Sequence, residues 1–397
     1  MIKIEFLEAE ELLLDSFKLG KKLYDNGFIP THAISLWRGG TPVGLGVDNF
    51  FRLKGHFITH TTVATASYSG INSQDEIIIK GLEHLIQRIS REDKLLIIDD
   101  IYDSGETINV LINTIKKMAR ANTPETIVVA CVYNKIRERK VSLPITSVCD
   151  KENHWISFPH EISDLCFPDD PEENKLKEKS QTLFDILHQE TPFPVSEIPL
   201  SETSPFITPK TLLEDSLKLG ANIYHDGFIP DFIIAIWKNG ICTAIPVHEY
   251  YKYRLKTSGN KHKVPDHIAI NTDISPASFK SNVIGISYLE ENINANDKIL
   301  IIDTVFHTGR LVNQTIEKLK ETLRRNITVE NIRVAALYYY PKSDITQTEQ
   351  PYYNKPHYYL HKINQSVILP HEIHKIYQPK KWLDRNWKEL SDVIFEE

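Results

Sequence analysis

Two adjacent carboxylates, Asp99 and Asp100, end the apolar run Leu95-Leu96-Ile97-Ile98, and Ile101-Tyr102-Asp103-Ser104-Gly105-Glu106-Thr107 follows at once. Neighbouring acids at the end of a buried strand suit hydrogen bonds from adjacent hydroxyls, such as those of a sugar. A loop of small hydroxyl residues and glycine that opens a helix does the complementary work. It turns several backbone N–H groups toward one point, and the helix dipole adds to them, so it suits a phosphate group. Acids and phosphate repel if they share one spot. The pattern makes sense when sugar hydroxyls meet the acids and a phosphate sits further along the loop.

Three other clusters could do chemistry. In Ser35-Leu36-Trp37-Arg38-Gly39-Gly40 the glycines allow close approach of backbone to a ligand, and Arg38 offers a planar fork of donors. Val132-Tyr133-Asn134-Lys135 sets a lysine at the end of an apolar run. Trp155-Ile156-Ser157-Phe158-Pro159-His160-Glu161 sets an aromatic ring six residues before a carboxylate.

The elements that position these residues are legible around them. LLLDSFKLGKKLYDNG has helical spacing and ends on Gly27, a helix terminator. HAISLW, KLLIIDDI and TIVVACVY are short apolar, β-branched runs, the pattern of strands buried on both faces. ETINVLINTIKKMARAN is an amphipathic helix after the second of them. Strands alternating with helices predict a parallel α/β sheet, whose ligands gather at the carboxyl ends of the strands. Asp99, Arg38 and Lys135 all fall at such ends.

The chain also repeats itself. Asp15-Ser16-Phe17-Lys18-Leu19-Gly20 is answered by Asp215-Ser216-Leu217-Lys218-Leu219-Gly220, and Gly27-Phe28-Ile29-Pro30 by Gly227-Phe228-Ile229-Pro230. DKLLIIDD from Asp93 is answered by DKILIIDT from Asp297, and FPHEI from Phe158 by LPHEI from Leu369. The order is kept, so the reading is a duplicated domain and not a solenoid. It predicts a first domain over 1–168, a linker over 169–208 and a second domain over 209–397. The linker opens with a charge run, PDDPEENKLKEK. It continues through a short helix-like stretch, SQTLFDILHQE, into a Pro/Ser/Thr-rich extended segment.

The segment Leu95 to Thr107 resembles the phosphoribosyl pyrophosphate (PRPP) motif of type I phosphoribosyltransferases: four apolar residues, two acids, two variable residues, then an Asp/Thr-Ser/Thr-Gly-x-Thr loop. The resemblance implies an α/β fold of two tandem domains, each a mostly parallel sheet flanked by helices with a small hood. It implies that Asp99 and Asp100 hold the ribose hydroxyls and touch Mg²⁺ only through substrate or water. Asp103, Ser104, Gly105, Glu106 and Thr107 then form the 5′-phosphate loop. Arg38-Gly39-Gly40 resembles the family's pyrophosphate loop, and Arg38 and Asp103 are the implied catalytic residues. His60 to Asn72 sits where the family keeps a mobile loop, and Ser67-Tyr68 resembles a pair found there in purine enzymes. Lys135, Trp155 and Glu161 are similar to the base-binding residues of the bacterial and archaeal-type hypoxanthine, xanthine and guanine enzymes. In those enzymes the segment usually reads Trp-x-x-x-Pro-Trp-Asp/Glu, and His160 departs from the second Trp.

The second repeat has lost parts. Its motif reads Ile302-Asp303-Thr304-Val305-Phe306-His307-Thr308-Gly309-Arg310-Leu311. Asp303, Thr308 and Gly309 survive as a phosphate site. Thr304 stands for the second acid, His307 for the loop Asp and Leu311 for the final Thr. Tyr340 stands where Lys135 stood, with Lys342 near, Val367 replaces Trp155, and Lys238-Asn239-Gly240 replaces Arg-Gly-Gly.

The expected activity is Mg²⁺-dependent transfer of phosphoribosyl from PRPP to a purine base, a 6-oxopurine, in the first repeat, with the second structural or regulatory. Two other readings stay open: a sensor that binds PRPP or a nucleotide without turnover, and a transferase for a different base. The partners expected are PRPP and the base, with an internal pseudo-dimer or a homodimer. A net charge of −7 shows no basic footprint for nucleic acid. No 18-residue apolar run predicts a membrane span, and the first twenty residues lack the pattern of a secretion leader. The four cysteines form no CxxC pair and read as free thiols of a cytoplasmic protein.

Overall fold

The chain is described from a computed structural model over residues 4–68, 76–135, 144–151, 155–167, 169–199, 201, 204–259, 262–274, 281–341 and 351–396. It divides into two compact units, Met1–Phe158 with Ile368–Glu397, and Pro159–Val367.

The elements from Ile4 to Ser157 run β1 (Ile4–Phe6), α1 (Ala9–Asp25), β2 (His32–Trp37), α2 (Gly40–Leu53), β3 (Thr59–Tyr68), β4 (Glu76–Lys80), α3 (Glu83–Ile86), β5 (Lys94–Tyr102), α4 (Glu106–Ala119), β6 (Thr126–Lys135), β7 (Ile145–Lys151) and β8 (Trp155–Ser157). β2 and β5 are the centre of a six-stranded sheet ordered β4-β3-β2-β5-β6-β7. Their apolar residues, Ile34, Leu36, Leu95 and Ile97, are buried with Leu111 and Ile115 of α4 in one core. That burial is why strands without hydrophobic–polar alternation form here. α1 and α2 pack on each other and on the sheet. β1 and β8 form a separate parallel pair with Ile4 opposite Trp155.

The next stretch holds α5 (Asn174–Lys179), α6 (Gln181–His188) and β9 (Ser196–Ile198). Ser180 caps α6 by accepting from Leu183 N at 3.3 Å. From Pro209 the chain forms α7 (Pro209–His225), β10 (Phe232–Trp237), α8 (Gly240–Thr257), β11 (Asp266–Ile274), β12 (Ser281–Ile284), α9 (Ser287–Asn292), β13 (Ile299–Phe306), α10 (Arg310–Leu323), β14 (Ile332–Tyr339) and β15 (Tyr358–Ile363). α11 (Pro379–Asn386) and α12 (Lys388–Phe395) follow. The second sheet is ordered β12-β11-β10-β13-β14-β15-β9, so its first six strands repeat the order of the first sheet. The register repeats as well: Ile34 faces Ile97, and Ile234 faces Ile301.

Two expectations are corrected. Residues 60–68, assigned to a loop, lie in β3; the remainder of that segment, 69–72, lies outside the described residues. Thr and Val at alternate positions explain the strand, since β-branched side chains fit a pleated, half-buried surface. β3 pairs antiparallel with β4, and β11 with β12, so each sheet carries one antiparallel edge. The Pro/Ser/Thr-rich stretch, expected as an extended linker, supplies β9, which pairs in parallel with β15 at the edge of the second sheet.

Candidate active site at the carboxyl ends of the strands

β5 delivers Asp99 and Asp100 toward its carboxyl end at the centre of the sheet. Each carboxylate accepts from the next backbone N–H, Asp100 N to Asp99 Oδ1 at 3.0 Å and Ile101 N to Asp100 Oδ1 at 2.8 Å. These bonds fix where the acids point. The Arg38-Gly39-Gly40 turn lies directly against them. A Cβ on Gly39 would stand 1.8 Å from Asp100 Oδ2, and one on Gly40 would stand 2.8 Å from Asp99 Cα. Only glycine fits either position, so the pairing of two glycines with two acids is a single packing solution. The Trp37–Arg38 peptide is cis, as is its counterpart Trp237–Lys238.

Past the acids the chain turns into α4. Gly105 adopts φ +73° as the residue before the helix, a conformation that favours glycine. Glu106 N donates to Ser104 Oγ at 3.3 Å, and Asn109 N donates to Gly105 O at 2.9 Å. The first-turn N–H groups of a helix have no partner within it, so this corner gathers donors for an anion. Beneath the loop lies Tyr102, buried, whose hydroxyl would be 2.1 Å from a Cβ on Gly105. The motif itself leaves Tyr102 as a variable position. Its position, inward-facing on a strand and three residues before a left-handed glycine, is the available signal.

A buried polar network supports the Arg38 turn from below. Ser35 Oγ and His60 Nε2 share a hydrogen bond of 2.7 Å, and Thr62 Oγ1 donates to Ser35 O at 2.8 Å. Thr41 Oγ1 donates to Leu36 O at 3.2 Å and lies 3.1 Å from Thr62 Oγ1. This ties β2, β3 and the start of α2 together at the turn. Hydroxyl and imidazole groups inside strands that are otherwise apolar mark it in the sequence.

Burial and the neighbouring Asp100 charge push the Asp99 carboxyl well above the ordinary carboxylate range. Burial also raises Asp100. Its hydrogen bonds with Asp99 and backbone N–H, together with the Arg38 guanidinium, pull the other way.

β6 ends on Lys135, and its Nζ reaches Asp103 Oδ2 at 3.2 Å, bringing the expected base-side lysine onto the phosphate loop. Ser104, Gly105, Glu106 and Thr107 lie on the same turn. Ser67 and Tyr68 stand in β3 opposite Ile77 and Glu76; their side chains lie outside the described residues. Trp155 is half-buried on the small β1–β8 pair. Glu161 falls in the second unit, where its carbonyl accepts from Lys179 Nζ at 2.7 Å.

The second unit repeats the turn with other side chains. Gly309 has φ +67°, and Arg310 N donates to Thr308 Oγ1 at 3.3 Å, as at Gly105 and Ser104. Asp303 Oδ1 accepts from Thr304 N at 2.8 Å. Thr304 is fully buried and donates to Asn239 O at 2.6 Å, with Thr243 Oγ1 2.8 Å away. Its hydroxyl thus fastens the turn where Asp100 presents a carboxylate. His307 stacks on Tyr340 with centroids 4.5 Å apart in place of the Asp103–Lys135 ion pair. Lys342 lies outside the described residues.

Among the described residues no group of three or more His, Cys, Asp or Glu side chains forms a metal cage. No described helix is long and apolar enough to cross a membrane. No protein-family model matches the chain, and no curated protein does. Similar solved structures include a hypothetical protein from Neisseria gonorrhoeae with bound ppGpp (TM-score 0.35, 22% identity, 45% of this chain and 97% of that one). They also include a purine phosphoribosyltransferase from Pyrococcus horikoshii Ot3 (0.33, 22%, 42% and 97%). A third is the xanthine-guanine-hypoxanthine phosphoribosyltransferase of Helicobacter pylori (0.31, 17%, 40% and 92%). Each is matched along nearly all of its own length and along less than half of this chain.

Proposed function

We propose that the chain is a tandem pair of type I phosphoribosyltransferase domains and that the first transfers phosphoribosyl from PRPP to a purine base, a 6-oxopurine. One observation carries the reading. Two carboxylates packed on the Gly39-Gly40 turn stand one short loop away from a left-handed Gly105 that opens α4, with Lys135 held on that loop by Asp103. We read these groups, at neighbouring strand ends, as sugar-hydroxyl acceptors, a pyrophosphate turn, a phosphate corner and a base-side cation.

In this reading Asp99 and Asp100 accept from the ribose hydroxyls, and the α4 corner takes the 5′-phosphate. Arg38 and the Gly39–Gly40 backbone hold the pyrophosphate, stabilising charge as the C1′–O bond breaks. Lys135 exchanges Asp103 for the purine carbonyl. Asp99 and Asp100 would then meet Mg²⁺ only through substrate oxygens and water. Mg²⁺, when bound, neutralises developing charge on the pyrophosphate.

The test is pyrophosphate release from PRPP and Mg²⁺ with each candidate base in turn. The expected result is release with a 6-oxopurine that is lost in Asp99→Asn and kept in Asp303→Asn. Release with another base alone would reassign the acceptor. No release with any base, alongside measurable PRPP or nucleotide binding, would make the protein a sensor. The retained Thr308–Gly309 turn beside the buried Thr304 favours that second role for the C-terminal repeat, which we take to be structural or regulatory.

A further inference from the structure

α2 and α8 begin at the two glycine turns, and both are buried almost all the way round. A helix of that kind needs cover on the side away from its own sheet. The cover comes from the other repeat in both cases. The motif Leu369-Pro370-His371-Glu372-Ile373 belongs by sequence to the second repeat, yet it lies in the first unit. The short helix Pro370–Lys375 packs on α2 there, and α12 packs on α1. Asn49 Oδ1, on α2, accepts from His374 N at 3.2 Å and lies 2.8 Å from His374 Nδ1.

The reciprocal arrangement occupies the second unit. Pro159-His160-Glu161-Ile162 belongs by sequence to the first repeat and lies in the second unit with α8. Glu249 is the α8 residue equivalent to Asn49, and its carboxylate is fully buried. Oε2 accepts from Ile162 N at 3.3 Å, Ser163 N at 3.2 Å and Ser163 Oγ at 2.9 Å. Lys256 Nζ adds bonds of 2.9 Å to Ser163 O and Cys166 O, and Lys252 Nζ reaches Asp164 at 2.8 Å. An acceptor at the same helix position thus receives the backbone N–H of the residue that follows the motif in both units, His374 and Ser163, each time from the opposite repeat.

We infer that the two repeats trade their C-terminal segments, so that each unit is completed by the other repeat and the degenerate second repeat is an integral part of the first repeat's unit. The C-terminal repeat is then retained for what its tail covers, independently of whether its own site binds anything. The inference does not depend on the proposed reaction.

The test opens the chain where it crosses between the repeats. A site for a specific protease is inserted between Glu190 and Thr191, both exposed, in the full-length protein. After cleavage, residues 1–190 and 191–397 are connected only through the traded segments and whatever else the fold supplies. The expected result is co-elution of the two pieces on size exclusion at micromolar concentration. Adding Asn49→Leu with Glu249→Leu is expected to weaken their association at least tenfold, while the uncut double variant still melts cooperatively. If that variant does not fold, Lys252→Ala with Lys256→Ala, at partly exposed positions, is expected to weaken association in the same direction. Separation of the unmodified pieces on cutting overturns the inference. So does association left undiminished by either pair of substitutions. None of these readouts uses catalytic activity, so their failure is distinct from failure of the proposed reaction.

Discussion

At the residue scale the acids of the site work against the fold that holds them. Asp99 and Asp100 sit where burial raises both carboxyls. A carboxyl raised above its unfolded value holds its proton more tightly in the folded state. Its contribution to stability is therefore full at low pH and is lost as pH climbs from the ordinary carboxylate range through the raised value. Asp99→Asn cannot ionise. It is expected to melt above the unmodified protein at pH 8, with the gap closing toward pH 4. A gap that stays constant with pH would mean that Asp99 is not the group responsible. Lys135 gives a second expectation at this scale. Replacing it with Met removes a charged hydrogen-bond donor worth about 1.5–3 kcal/mol. Steady-state kinetics should show kcat/KM for the base falling about 10- to 150-fold, with the PRPP Kd nearly unchanged. Equal losses for both substrates would place Lys135 at the PRPP end instead.

At the scale of elements, the end of β5 and the start of α2 form one fitted joint. Asp100 occupies the space a Cβ on residue 39 would need, so that acid and that glycine stand or fall together. The second unit solves the same joint differently, with Thr304 bonded to the carbonyl of Asn239. Thr304→Asp alone therefore buries a carboxylate beside a residue that carries a Cβ and is expected to destabilise the protein by about 2–4 kcal/mol. Combining it with Asn239→Gly is expected to recover about 1–2 kcal/mol, read as non-additivity in a double-mutant cycle by chemical denaturation. Strict additivity would show that the two positions are not a joint. Joints of this kind explain what the sequence disclosed. β2, β5, β6 and α4 were legible because continuous apolar runs and a 3.6-residue period are local properties. The phosphate turn was legible because its residues are contiguous. Tyr102 under Gly105, the Ser35–His60–Thr62 network and the strand character of 60–68 were not, because each depends on what lies across the sheet. The strand β9 was missed for the same reason: Ser196–Ile198 is a strand only because β15 offers it an edge.

At the scale of the whole molecule, similarity between the repeats shows which segments are duplicated, but not which segment completes which unit. The FPHEI and LPHEI copies look like interchangeable ends of two consecutive domains, whereas the structure puts Leu369–Ile373, and Pro159–Ile162 of the first copy, in the unit built on the other repeat. This separates two ways in which the second repeat could matter to the first. One is through its own turn, where Thr304, His307 and Tyr340 stand in place of Asp100, Asp103 and Lys135. The other is through cover: Leu369 and Ile373 are fully buried in the first unit, and α2 carries Gly39–Gly40 at one end and the His374-bonded Asn49 toward the other. A chain stopped after Val367 keeps every residue assigned to the first site but uncovers the outer face of α2. It is expected to lose the cooperative melting of the first unit and at least 90% of pyrophosphate release together. Truncation should act by exposing apolar surface that folding buries, at about 25 cal/mol per Å², so adding back a synthetic peptide of residues 368–397 at a concentration above its Kd should restore both signals in parallel. If the shortened chain melts and turns over normally, the tail is a passenger. If stability returns with the peptide and turnover does not, the second repeat contributes to the reaction by some route other than covering α2.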